Sequence, residues 1–181
     1  MITWVLLGVV AVVAVFVIAT YNGLITLRNR VEEASSDIDV QLKRRYELIP
    51  NLVSTVKGYA THEKELLEKV TKERAGLMNG STADKIAASN QMTETLKSLF
   101  AVAENYPDLK ANTNFLQLQA DLTDTQDKIM AAQRFYNGNV RDFNTRLQVF
   151  PTNMYAQSLG FKPYEFIEAA EGEKANVEVK F

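Results

Sequence analysis

Cysteine is absent from the 181 residues, and histidine occurs once, at His62. The first absence removes disulfides, thiolate metal sites and cysteine nucleophiles. The second removes most metal and acid–base schemes. A zinc-protease motif needs a second histidine four residues on, where Leu66 stands. A carboxylate-bridged di-iron bundle needs two Glu-x-x-His pairs, which one histidine cannot supply. No Gly-x-Ser-x-Gly elbow occurs, and only His62 is available as an imidazole base for the serines and threonines. Charge of either sign is not in excess: 20 Lys and Arg face 22 Asp and Glu, so nucleic acid is not an expected partner. Glu63, Glu65, Glu68 and Glu73 alternate with Lys57, Lys64, Lys69 and Lys72, which reads as a solvated helical face rather than an acid–base pair. No enzyme activity, cofactor or metal site is expected.

Charge is missing altogether from Ile2 to Ala19, where twelve of eighteen positions are Val, Leu, Ile or Phe. About twenty residues at a helical rise of ~1.5 Å cross a hydrocarbon core of roughly 30 Å. Twelve such aliphatics contribute on the order of −5 kcal/mol to insertion. Trp4 and Tyr21 stand where amphipathic rings meet the two interfaces. A core helix of this length would show a polar face, and this one has none. Val17-Ile18-Ala19 offers small residues at a cleavage site, but no basic residue precedes the run, and the run exceeds the usual length of a leader. A retained anchor is expected. Arg28, Arg30 and Lys43-Arg44-Arg45 follow the span, so the N-terminus is expected outside and the soluble domain in the cytoplasm.

Proline and glycine are sparse, and Pro50, Gly80, Pro107, Pro151 and Gly160 mark nearly every break. Between them apolar residues keep helical steps. One seam runs from Leu24 through Ile38, Arg45, Ile49, Val56, Tyr59, Glu63, Leu66, Val70 and Glu73 to Leu77 in steps of three or four. It predicts a single long helix, continuous with the anchor and kinked at Pro50, where the proline removes a bond to the Tyr46 carbonyl. Gly80 and Ser81-x-x-Asp84 predict a turn with a capping box, opening a second helix over about 83–105. A third spans Phe115 to Phe150, and Pro151 opens a short final helix stopping at Gly160. The fold class is all-α: a transmembrane helix followed by an up-down antiparallel helical bundle of three long helices and a short C-terminal one. The division is 1–21 anchor, 22–160 bundle and 161–181 tail. Val177, Val179 and Phe181 in the tail alternate like a strand.

Polar residues on or beside the seams are the candidate interaction or structural positions. Arg45 sits on an apolar seam, Asn51 lies within a predicted helix, and Asn112, Gln119, Gln126 and Gln133 recur every seven residues beside another. Buried amides seek fixed partners, within one bundle or between subunits. His62 invites a phosphorelay reading, but no glycine-rich nucleotide loop accompanies it.

Five blocks carry a resemblance. Tyr21-Asn22, Ile38-Asp39-Val40-Gln41-Leu42-Lys43-Arg44-Arg45, Leu48-Ile49-Pro50-Asn51-Leu52, Gly58-Tyr59-Ala60-Thr61-His62-Glu63 and Tyr106-Pro107-Asp108-Leu109-Lys110-Ala111-Asn112 resemble the LemA family of bacterial membrane proteins, as do Arg134, Tyr136-Asn137, Asn144 and Phe150-Pro151. The chain departs from the pattern at Gln126-Asp127, where many members have Glu-Asn. The resemblance implies a helical bundle at the bacterial inner (cytoplasmic) membrane and brings no reaction, cofactor or catalytic residue. The expected role is a membrane-anchored scaffold or assembly protein whose partners are the lipid bilayer, copies of itself as a homo-oligomer, or an unidentified protein. The alternatives are a signalling or phosphorelay element using His62, and an accessory subunit of a membrane protease or envelope-stress system.

Overall fold

The structure is a computed structural model describing residues 1–168; the alternating Val177–Phe181 stretch lies outside them. The described residues are helices and turns, as the all-α expectation required, with no strand among them.

Helix α1 spans Ile2–Lys57 and passes through Pro50 without interruption. Proline removes the N–H that would reach the Tyr46 carbonyl. The side chain of Arg74 takes that place: its Nε donates to the Tyr46 oxygen at 2.9 Å, and its guanidinium lies 3.6 Å from the centre of the Tyr46 ring. The expected continuation to Leu77 is corrected here. The chain turns at Gly58, and the amides of Gly58, Tyr59 and Ala60 fold back onto the carbonyls of Thr55 and Val56 at 3.3, 3.0 and 2.8 Å. Ala60 and Leu67 fill the core in place of Tyr59 and Leu66, and Tyr59 is exposed. Ala60 is small enough to let the turn close on the core. Apolar spacing survived this reversal because both arms face one core, so the seam could not report it.

Helix α2 (Lys64–Arg74) ends in a 3-10 turn, Ala75–Met78. Gly80 follows at φ +92, a left-handed conformation in which a Cβ would also meet Asp84 at 2.9 Å. The capping box forms as expected: Ser81 Oγ accepts from the Asp84 amide at 3.2 Å, and the Ser81 amide donates to Asp84 Oδ2 at 2.9 Å. It opens α3, Thr82–Ala103. A single turn, α4 (Pro107–Lys110), precedes α5 (Thr113–Gln148), whose first turn is capped by Asn112 Oδ1 accepting from the Phe115 amide at 3.0 Å. The expected final helix is a 3-10 turn at Thr152–Met154, followed by turns to Gly160. Ten residues containing Thr152, Asn153, Ser158 and Gly160 are too short and too poor in helix formers to propagate an α-helix.

The chain forms two compact units, one from Met1–Ala34 with Arg134–Phe166 and the other built on Ser35–Gln133. In the latter, Ser35 meets Thr82 and Asp39 meets Lys85, so the end of α1 runs parallel to α3. Tyr46 meets Arg74, and Tyr59 meets Asn112 while Arg44 meets Asp124, so α2 and α5 run antiparallel to α1. The result is an up-down-up-down arrangement around Leu42, Ile49, Leu52, Met92, Leu99 and Leu122. In the first unit, Asn144 binds the Tyr164 backbone twice, at 2.8 and 3.0 Å, and Phe143 packs edge-on against Phe161 and Tyr164.

Candidate functional site

On α1 the steps from Leu42 to Arg45 to Ile49 place a guanidinium where the core expects an aliphatic side chain. Arg45 is 1% exposed. Its Nη1 donates to the Ser89 carbonyl at 3.1 Å, to Ser89 Oγ at 2.7 Å and to Gln126 Oε1 at 2.6 Å, and Nη2 donates to Thr93 Oγ1 at 2.9 Å. Thr93 Oγ1 in turn approaches the Ser89 carbonyl and Gln126 Oε1, each at 3.0 Å. Every acceptor is neutral. Neighbouring carboxylates serve other cations: Asp39 pairs with Lys85 at 2.8 Å, and Asp121 and Asp124 with Arg44 at 3.7 and 3.1 Å. Desolvation with no carboxylate to offset it pushes the Arg45 pKa down to about 10, leaving it a cation at neutral pH. Arg45 Nε and Gln41 Oε1, one turn apart on α1, are buried with no hydrogen-bond partner among the described residues. The cluster ties α1, α3 and α5 to one register, which is what a buried polar centre does best.

A second constellation holds the end of α1. The α1–α2 turn is clasped by the link between α3 and α5: Asn112 Nδ2 donates to Tyr59 Oη at 2.9 Å, and Tyr106 Oη donates to Glu63 Oε1 at 3.1 Å. The bond to Glu63 raises the Tyr106 pKa, since the carboxylate favours the protonated phenol. Thus the Gly58–Glu63 and Tyr106–Asn112 blocks, far apart in sequence, meet in space.

The clasp positions one wall of a groove of about 530 Å³ between α1 and α2. Val53, Ala60 and Leu67 give it an apolar floor, and Lys57, Lys64 and Lys72 stand around it with Thr61, Thr71 and Glu68. Lys64 pairs with Glu68 at 3.7 Å. A concave apolar surface with a basic rim suits an amphipathic anion. The lysine-rich face that sequence alone reads as plain solvated surface therefore borders a groove. The signal was present in Val53, Ala60 and Leu67, which recur every seven residues beside Lys57 and Lys64.

The other sequence candidates divide. Gln126 belongs to the Arg45 cluster, and Asn112 joins the clasp and caps α5. Gln119 and Gln133 are half-buried on α5, while Asn51 is exposed on α1. His62 is exposed on the α1–α2 turn, beside the groove residue Thr61. No group of three His, Asp or Glu among the described residues is arranged to hold a metal ion.

An α1 long and apolar enough to cross a membrane, with none of its most apolar stretch buried, leads into helices pinned by a polar centre. That combination defines the class: a membrane-anchored all-α protein. The LemA family pattern matches residues 34–181, and the chain belongs to that family. Protein LemA of Metamycoplasma hominis is 32% identical over 160 residues, covering 87% of this chain and 73% of that protein. Magnetosome protein MamQ 2 of Paramagnetospirillum magneticum is 23% identical over 189 residues, covering 90% of this chain and 69% of its own. Magnetosome protein MamQ of Magnetospirillum gryphiswaldense is 22% identical over 173 residues, covering 81% and 64%.

Proposed function

We propose that the protein is a non-catalytic docking scaffold of the bacterial inner membrane, with its N-terminus outside and its soluble domain in the cytoplasm. Its α1–α2 groove takes an acidic amphipathic segment of a partner protein. The observation that carries this reading is the pairing of an apolar floor with lysines at Lys57, Lys64 and Lys72. Apolar side chains of the guest would enter the floor, and its carboxylates would meet the rim, adding on-rate and orientation. The Arg45 cluster and the Tyr59–Asn112 clasp serve as framework, keeping α1 and α2 at the spacing the groove requires. Gln126 spends its carbonyl oxygen inside the bundle, which withdraws one rung of the Gln119–Gln126–Gln133 ladder from contacts between copies.

Affinity purification of the full chain from native membranes, compared with Lys57→Glu/Lys72→Glu, tests the proposal. Both lysines are exposed, so the variant keeps its fold. Selective loss of a co-purifying protein from the variant supports the groove. Identical protein sets from the two would contradict it.

A further inference from the structure

Unit one, Met1–Ala34 with Arg134–Phe166, holds apolar side chains that its own packing leaves outside. Phe150 is 78% and Met154 72% exposed, with Val149 and Leu159 beside them in sequence. Their position can be traced through ring contacts. Tyr21, at the end of the apolar stretch of α1, packs edge-on against Phe161 at 5.6 Å, and Phe161 against Phe143 at 6.3 Å. At the other end of the same short segment, Tyr164 reaches Glu32, eleven residues further along α1, and Tyr136 reaches the Glu165 carbonyl. The segment 161–165 therefore runs from the Tyr21 level toward the Glu32 level, lying along Phe143 and Asn144 and reached by Tyr136 at Glu165. Helix α5 runs the opposite way, toward the end of the anchor. The helix continues five residues beyond Phe143 to Gln148, about 7–8 Å further in that direction, and Phe150 follows in the turn just past its end, on the side of the apolar stretch. Burial agrees: Thr20 is covered and Val17 half-covered, whereas residues 1–16 are exposed.

Composition points to the same surface. From Leu147 to Phe161 the chain has no charged residue, and the stretch is bracketed by the exposed cations Arg146 and Lys162. Exposed Phe and Met at the level of a membrane span, edged by Arg and Lys, match the boundary between acyl chains and phosphate headgroups.

We infer that the turn 149–159 is a second membrane contact, seating Phe150 and Met154 in the interfacial layer of the bilayer that α1 crosses. The inference rests on the anchor reading of α1. The contact holds unit one against the lipid surface by two points instead of one. Burying two apolar side chains of this size favours association with lipid enough to keep the turn seated without binding a membrane by itself.

The absence of cysteine allows single-site labelling. Phe150→Cys, Met154→Cys, Val12→Cys and Phe135→Cys, each made in the full chain, carry a nitrobenzoxadiazole fluorophore in vesicles of phosphatidylethanolamine and phosphatidylglycerol. Phe135 is exposed in the same unit but lies beside Tyr136, at the far end of the 161–165 segment. The expected result is loss of most emission at 150 and 154 with lipids spin-labelled at a shallow acyl carbon, deep quenching at 12, and none at 135. Far-ultraviolet circular dichroism checks that each labelled chain is as helical as the parent. Emission at 150 and 154 that stays unquenched, as at 135, while position 12 is quenched overturns the second contact and leaves the anchor standing. Unquenched emission at 12 as well overturns both.

Discussion

Replacing Gln126 by glutamate places a carboxylate where a neutral amide oxygen now meets the buried Arg45 guanidinium at 2.6 Å. In the native protein the cation has been taken out of water with neutral acceptors alone, and bringing a guanidinium down to about 10 corresponds to a cost on the order of 3 kcal/mol. A charge pair separated by ~4 Å at an effective dielectric of ~20 returns about 4 kcal/mol. The new carboxylate is itself desolvated at a half-buried position, which offsets a large share, whereas the cost on the cation is already present in the wild type. The net expectation for Gln126→Glu is a gain of about 1–2 kcal/mol at neutral pH. Gln126→Leu deletes the acceptor and loses roughly 2 kcal/mol. Thermal unfolding of the full chain in mild detergent reads both, at about 2–4 °C per kcal/mol for a chain of this size. The sign with pH follows from linkage. The introduced carboxyl, depressed below its unfolded value by Arg45, contributes fully above the ordinary glutamate range and loses its contribution as pH falls through its folded pKa. A Gln126→Glu protein no more stable than wild type at neutral pH would refute the claim that Arg45 lacks a counter-charge.

The Arg74 side chain substitutes for the amide that Pro50 lacks, so the two residues are coupled. Arg74→Met should cost about 1–2 kcal/mol in the native background and distinctly less beside Pro50→Ala, a coupling that a double-mutant cycle reads directly. Hydrogen bonds from Ser81 hold the Asp84 carboxyl below the usual carboxylate range, so the α3 cap contributes above that range and is lost as pH falls through the depressed value. Ser81→Ala should therefore narrow the stability difference between neutral and acid pH, as followed by unfolding across a pH series. A cysteine introduced at the exposed Asn79 should resist a membrane-impermeant maleimide in intact cells and react after lysis; labelling of intact cells would reverse the orientation.

Helical periodicity placed the third long helix within a few residues, and Ser81-x-x-Asp84 placed the capping box, because each is a local signal. Pro50 inside α1 was legible for the same reason, down to the Tyr46 carbonyl it orphans. Its rescuer Arg74 was not, since that pairing depends on where α2 returns. The reversal at Gly58–Glu63 was hidden because Val56 and Val70 serve one core from two helices, and a period of three to four passes from one to the other unbroken. Arg45 stood out as a charge on an apolar seam and Gln126 as one of a seven-residue amide repeat, yet Ser89 and Thr93 carry no distinguishing pattern, and nothing local pairs residues of three helices. The groove was obscured by its own lysines, whose alternation with glutamates resembles any solvated face.

The docking role is tested most directly by photo-crosslinking in living cells. A photoreactive residue at Thr71, on the groove, is compared with one at Ser98, on the exposed face of α3. The account predicts a discrete protein adduct from Thr71, absent from Ser98 and abolished by Lys57→Glu/Lys72→Glu in the same chain. Equal adducts from both positions, or a Thr71 adduct indifferent to the lysine reversals, would contradict it.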